Sequence, residues 1–76
     1  MRMNRRRVKK RALLTPKEKE VLACIRQGKC TAEIADVLSV RQSTVKFHVR
    51  NIMDKLAASN RAHAVAIAIE RNLLDA

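Results

Sequence analysis

Residues 31–56 read TAEIADVLSVRQSTVKFHVRNIMDKL, and the way this stretch divides decides the fold. Thr31 is a candidate cap, Glu33 and Asp36 suit the positive end of a helix, and Ile34 and Leu38 lie one turn apart. These residues predict a short helix over 31–38. Ser39-Val40-Arg41 is too short for anything except a tight turn. Beyond it Val45, Val49, Ile52 and Leu56 recur at steps of four, three and four, which predicts a longer helix over about 43–57. Two helices joined by about three residues, the second longer and basic, make the helix-turn-helix pattern. Ala35 is small enough for the point where the two helices cross, and Ser39 keeps the turn compact.

The same two signals extend in both directions. Ahead of the pair, Thr15-Pro16-Lys17-Glu18 combines a cap, a proline at the first helical position and a capping-box glutamate. Val21, Leu22 and Ile25 follow at helical spacing, and Gly28 supplies a left-handed stop, so a helix over about 16–27 is expected. Behind the pair, Ser59-Asn60 opens a fourth helix over about 60–71. Asn72 can take the left-handed terminal position there, with Leu73 closing over the end. With one glycine, one proline and one aromatic residue in 76, turn punctuation is too sparse for a β-sandwich or barrel. The expected fold class is all-α, a four-helix bundle around a central helix-turn-helix.

The formal net charge is +10, and its placement matters more than its size. Residues 1–12 carry seven of the 17 Lys and Arg residues and none of the seven acidic ones. The chain therefore divides into a flexible basic arm or linker over 1–12 and a domain over 13–76. A basic arm before a mildly basic domain is the electrostatic footprint of a nucleic-acid binder. The same run also suits an interdomain linker kept charged for solubility. No apolar stretch approaches the roughly 20 residues needed to span a bilayer, and the arm has almost no large apolar side chains to insert into one. Cys24 falls within the first helix and Cys30 in a connecting turn, with no signal peptide ahead, so two free thiols and a cytoplasmic protein are expected. Cys24, Cys30, His48 and His63 match no spacing known for zinc ligands, so no metal is expected. No cofactor is implied either.

On a helical wheel, turning the Val45–Leu56 ridge inward points Lys46, Phe47, Arg50 and Asp54 outward, with Ser43 near the tip. An outward phenyl ring among cations, in a chain with no other aromatic, is costly unless it meets a partner or folds back over a small core. Lys46 and Arg50, one turn apart, can both donate to guanine O6 and N7, and the ring can touch thymine methyls. These three are the candidate base-reading residues of a helix lying in a DNA major groove. Lys29, Thr31, Arg41, Ser43 and Thr44 are candidates for phosphate contacts, together with the free amides at the start of the second helix. Thr44 suits capping or bracing of the third helix equally well. His48 beside the ridge reads as a packed, hydrogen-bonded imidazole.

The stretch Ala62-His63-Ala64-Val65-Ala66-Ile67-Ala68-Ile69 is apolar around nearly its whole circumference. If Val65, Ala68 and Ile69 face the core, then His63, Ala66, Ile67 and Glu70 face out as a candidate two-fold interface. Such a homodimer would read two related half-sites, a palindromic target. No paired carboxylates, nucleophile–base set or phosphate-cradling glycine loop points to an enzyme.

Leu14-Thr15-Pro16-Lys17-Glu18-Lys19-Glu20-Val21-Leu22, Glu33-Ile34-Ala35, Thr44 through Leu56, Asn60-Arg61 and Ala64-Val65, in this order, resemble the DNA-binding domain of LuxR-type regulators, also called the GerE or NarL type. The resemblance covers about residues 13–74. It implies a bacterial transcription factor of four helices that dimerises through the last, with Lys46, Phe47 and Arg50 on the recognition positions. Thr44-Val45-Lys46-Phe47-His48 looks like the quorum-sensing branch, whose members carry an upstream acyl-homoserine lactone domain; this chain is expected to be either a separated effector domain or a free-standing regulator. Arg41 stands where a capping Ser is usual, and Ala57 and Asn72 where Gly is common. Two other readings remain at this stage: a module that binds RNA polymerase like the last region of a sigma factor, and a sequence-independent nucleic-acid binder driven by the arm. Double-stranded DNA is the expected partner, with RNA polymerase a second.

Overall fold

The computed structural model describes residues 14–74, and the basic arm expected over 1–12 lies outside the described residues. Four helices follow one another: α1 Pro16–Arg26, α2 Thr31–Leu38, α3 Gln42–Leu56 and α4 Arg61–Glu70. No strand occurs among the described residues, and no helix among them is long and apolar enough to cross a membrane. The all-α class and the helix-turn-helix are as expected from the sequence; helix ends move by one residue or so.

Local chemistry sets those ends. Thr15 accepts from the Glu18 amide at 3.1 Å while the Glu18 carboxylate takes the Thr15 amide at 3.0 Å, a reciprocal box that satisfies two otherwise orphaned donors. Gly28, at φ 87°, turns the chain out of α1. The second helix starts one residue earlier in its cap than the sequence suggested: Cys30, not Thr31, is the capping residue, and Thr31 is the first helical one. Ser39 ends α2 in the left-handed region (φ 56°), Ala57 ends α3 there (φ 54°), and Asn72 follows α4 at φ 58°. Each is closed by an amide of the next residue reaching back into the helix, for example Ala58 N to Met53 O at 3.0 Å and Leu73 N to Ala68 O at 2.7 Å. That pattern satisfies terminal carbonyls, and it places Ala57 in a conformation that glycine adopts with less strain.

The core draws on every helix. Val21 and Leu22 of α1, Ile34 of α2, Val45, Ile52 and Leu56 of α3, and Ala64 and Ala68 of α4 are almost fully excluded from solvent. Ala35 of α2 is buried as well. Helix α3 packs against each of the other three, whereas no Cα atoms of α2 and α4 come within 8 Å of each other. Helix α1 likewise meets all three others, and the roll angle of α3 is set by the ridge it buries.

One buried charge joins α3 to α1. Glu18 is only 3% exposed, and beside its capping bond its Oε1 accepts from Lys55 Nζ at 2.7 Å, across 37 residues of chain. Burial pushes the Glu18 carboxyl up, but the Lys55 ammonium and the Thr15 donors more than offset this and hold it below its ordinary value of 4.5.

Candidate nucleic-acid interface

Burying Val45, Ile52 and Leu56 leaves the opposite side of α3 in water. Lys46, Phe47 and Arg50 are exposed there together with Ser43, and these four line one shallow depression of about 210 Å³. The expected trio is therefore brought together. Ser43, expected on a phosphate, shares its surface. Phe47 is 61% exposed and does not fold back over the core. Its only ring neighbour among the described residues is His48, edge-on at 5.7 Å with planes at 61°. His48 is half-buried, but the hydrogen bond expected of it is absent: Nδ1 is buried without a partner among the described residues. With the ring proton on Nε2 this leaves an unused lone pair, a smaller cost than an orphaned donor.

The remaining candidates collect at helix starts. Arg41 occupies the capping position of α3 without a side-chain capping bond, so the first amides of α3 stay uncapped beside exposed Arg41 and Ser43. Thr44, half-buried, donates its amide to Arg41 O at 3.0 Å. At α2 the Glu33 carboxylate reaches back to the Cys30 amide at 2.8 Å, and that bond holds the Glu33 carboxyl below its ordinary range. Thr31 is half-buried, as is Lys29. The Thr31 hydroxyl accepts from Arg61 Nη2 at 3.0 Å. The sequence places Arg61 within the family resemblance but gives it no role. The signal was present: a cation as the first residue of a helix is disfavoured by the helix dipole, so it needs a reason to be there.

On α4 the structure corrects the expected outward face. Ala64, Ile67 and Ala68 are turned into the core, while Ile69 is 39% exposed. Ile67 was expected outside and Ile69 inside. An alanine-rich helix gives a wheel little contrast, and the ring of contacts from α1 and α3 decides the roll instead. His63, Ala66 and Glu70 are exposed as expected. Asn60 caps this helix by accepting from the His63 amide at 2.8 Å, and His63 Nδ1 in turn accepts from the Ser59 amide at 3.1 Å.

Two helices in a helix-turn-helix, held by a buried ridge and with a cationic and aromatic outer face, fit a DNA-binding domain rather than an enzyme. Residues 12–68 match the family described as bacterial regulatory proteins, luxR family. The chain is 44% identical over 63 residues to the transcriptional activator protein SolR of Ralstonia solanacearum, covering 83% of this chain and 27% of that protein. It is 42% identical over 62 residues both to BjaR1 of Bradyrhizobium diazoefficiens and to CarR of Pectobacterium carotovorum, each a transcriptional activator protein; 82% of this chain is covered in both, with 26% of the first and 25% of the second. The chain belongs to the LuxR family of transcriptional regulators, as a DNA-binding domain spanning about a quarter of the length of these curated relatives.

Proposed function

We propose that this domain binds a specific double-stranded DNA site by laying α3 in the major groove, with Lys46, Phe47 and Arg50 reading base edges. The observation that carries the reading is the 61% exposure of Phe47 between two exposed cations on a helix whose other side is sealed in the core. Water alone gives no reason to hold a phenyl ring there. A groove offers thymine methyls to the ring and guanine acceptors to Lys46 and Arg50. Lys29, Thr31, Arg41, Ser43 and Thr44 take backbone phosphates, aided by the uncapped amides of α3, and set the register without reading sequence. The basic residues of 1–12 add affinity that does not depend on sequence.

Dimerisation is part of the proposal. The outer face of α4, made of His63, Ala66, Ile69 and Glu70, is small and mixed in character, which suits weak pairing reinforced by two adjacent half-sites. The target is then roughly palindromic. The relatives' names further suggest a role in activation, which would bring the domain beside RNA polymerase, and the Thr44–His48 string favours the quorum-sensing branch.

Selection of bound duplexes from a random pool tests the reading directly. A shared motif with two-fold symmetry is expected. Recovery of duplexes with no common motif would leave only a sequence-independent binder.

A further inference from the structure

The Arg61–Thr31 hydrogen bond joins two helices whose backbones stay apart. No Cα pair from α2 and α4 approaches within 8 Å, so the long Arg61 side chain spans the gap between the two backbones. A long side chain leaves the start of α4 and crosses to the first residue of α2, meeting its hydroxyl at 3.0 Å. The position is unfavourable for a cation on its own helix, since the N-terminus of α4 already carries partial positive charge. Nor is the bond a salt bridge that would repay it, because the acceptor is a neutral hydroxyl.

The start of α2 supplies the other half of the arrangement. Its first turn offers amides to an anion, but the Glu33 carboxylate is already bound to the Cys30 amide at 2.8 Å, and its charge offsets the field there. A phosphate approaching this turn therefore needs a nearby cation. The Arg61 guanidinium, planar with five donors, spends one on Thr31 among the described residues and retains a fork able to grip phosphate oxygens. By occupying a lone pair of Thr31 Oγ1, it also leaves the hydroxyl proton to turn toward the same anion.

We infer that Arg61 is a positioning residue of the DNA interface: anchored on Thr31, it forms with that hydroxyl and the first amides of α2 a seat for one backbone phosphate, built from two helices. The inference deepens the proposed function and rests on the start of α2 being a phosphate anchor. It ties the register of the reading helices to α4, the helix proposed to pair the two copies.

The test uses the full chain with Arg61→Gln, Arg61→Lys, Thr31→Val and the Arg61→Gln/Thr31→Val double variant. Binding to a selected duplex and to its scrambled version is followed across a salt series, with thermal melting of each variant alongside. Arg61→Gln should weaken both duplexes alike, by roughly tenfold at low salt, and lower the slope of log affinity against log salt by about one. Arg61→Lys should restore the slope but only part of the affinity, since an ammonium cannot hold Thr31 and phosphate in one planar fork. Adding Thr31→Val to Arg61→Gln should cost less than Thr31→Val alone. An unchanged salt slope in Arg61→Gln overturns the inference, and a lowered melting temperature with normal binding shows a structural tie only. A loss confined to the selected duplex would make Arg61 a base reader and equally overturn it. Companion variants at Lys46 and Arg50 separate the two claims: unaltered site preference in them sinks the base-reading proposal while leaving the phosphate seat standing. Failure of the wild-type chain to bind any duplex sinks both.

Discussion

Replacing Glu18 by Ala removes the best-buried polar group among the described residues, one charge with it, and two bonds of different kinds. The carboxylate oxygen that caps Thr15 at 3.0 Å also accepts from Lys55 at 2.7 Å. Half of a capping box contributes about 0.5–1 kcal/mol. A charge-assisted bond in a site only 4% exposed on the acid side contributes roughly 1–2 kcal/mol more, less than a fully buried pair because the Lys55 side chain keeps 26% of its surface in water and can swing out. The expected loss is therefore about 2 kcal/mol. A domain of this size has roughly 3–9 kcal/mol in all, at 0.05–0.15 kcal/mol per residue. A fall in melting temperature of roughly 8–16 °C follows, taking 4–8 °C per kcal/mol. Urea unfolding of wild type, Glu18→Ala, Lys55→Met and the double variant gives the coupling between the two side chains, expected at about 1 kcal/mol or more. A coupling of zero within error would refute the reasoning. It would mean that the short distance reflects proximity without net attraction. The pH dependence provides a second check. Because the folded carboxyl is held below its ordinary 4.5, its contribution is complete above that value and is lost as pH falls through the lower folded value. Stability of the wild type should fall more steeply than that of Glu18→Ala below about pH 4.5.

Three further outcomes are expected. Arg50→Ala should cost roughly 1–3 kcal/mol on the selected duplex and relax preference at one position, with little change on a scrambled one; equal losses on both would refute base reading by Arg50. Ala57→Gly should stabilise the chain by roughly 0.5–1 kcal/mol, since the left-handed backbone at φ 54° strains alanine, a change readable by chemical denaturation. Ile69→Glu should leave the melting temperature nearly unchanged but abolish cooperative binding to a two-half-site duplex, whereas Ile67→Glu should unfold the domain because it buries a charge in the core; intact cooperativity in Ile69→Glu would exclude α4 pairing through this face.

Where the sequence was legible, two independent signals agreed. Thr15, Pro16 and Glu18 mark the start of α1 by capping chemistry alone, and the structure realises each of those bonds. The spacing from Val45 to Leu56 determines which side of α3 is sealed, and so which side carries Lys46, Phe47 and Arg50. Where only one weak signal existed, packing decided. In α4 alanines occur on every side, so hydropathy could not tell Ile67 from Ile69; neighbours from α1 and α3 selected the former. The partners of Glu18 and Arg61 were invisible for a different reason. Lys55 lies 37 residues from Glu18 and Thr31 lies 30 from Arg61, and no periodicity within one helix encodes a contact between helices. The long-range tie at Lys55 also explains why a residue that the capping pattern accounts for completely is more deeply buried than a cap requires.

Because α3 packs against all three of the other helices, its outer face cannot be re-aimed on its own. Tilting it would tear open the apolar interior. Any change in how α3 presents its outer face therefore moves the domain as one unit, much as a key turns without its teeth being recut.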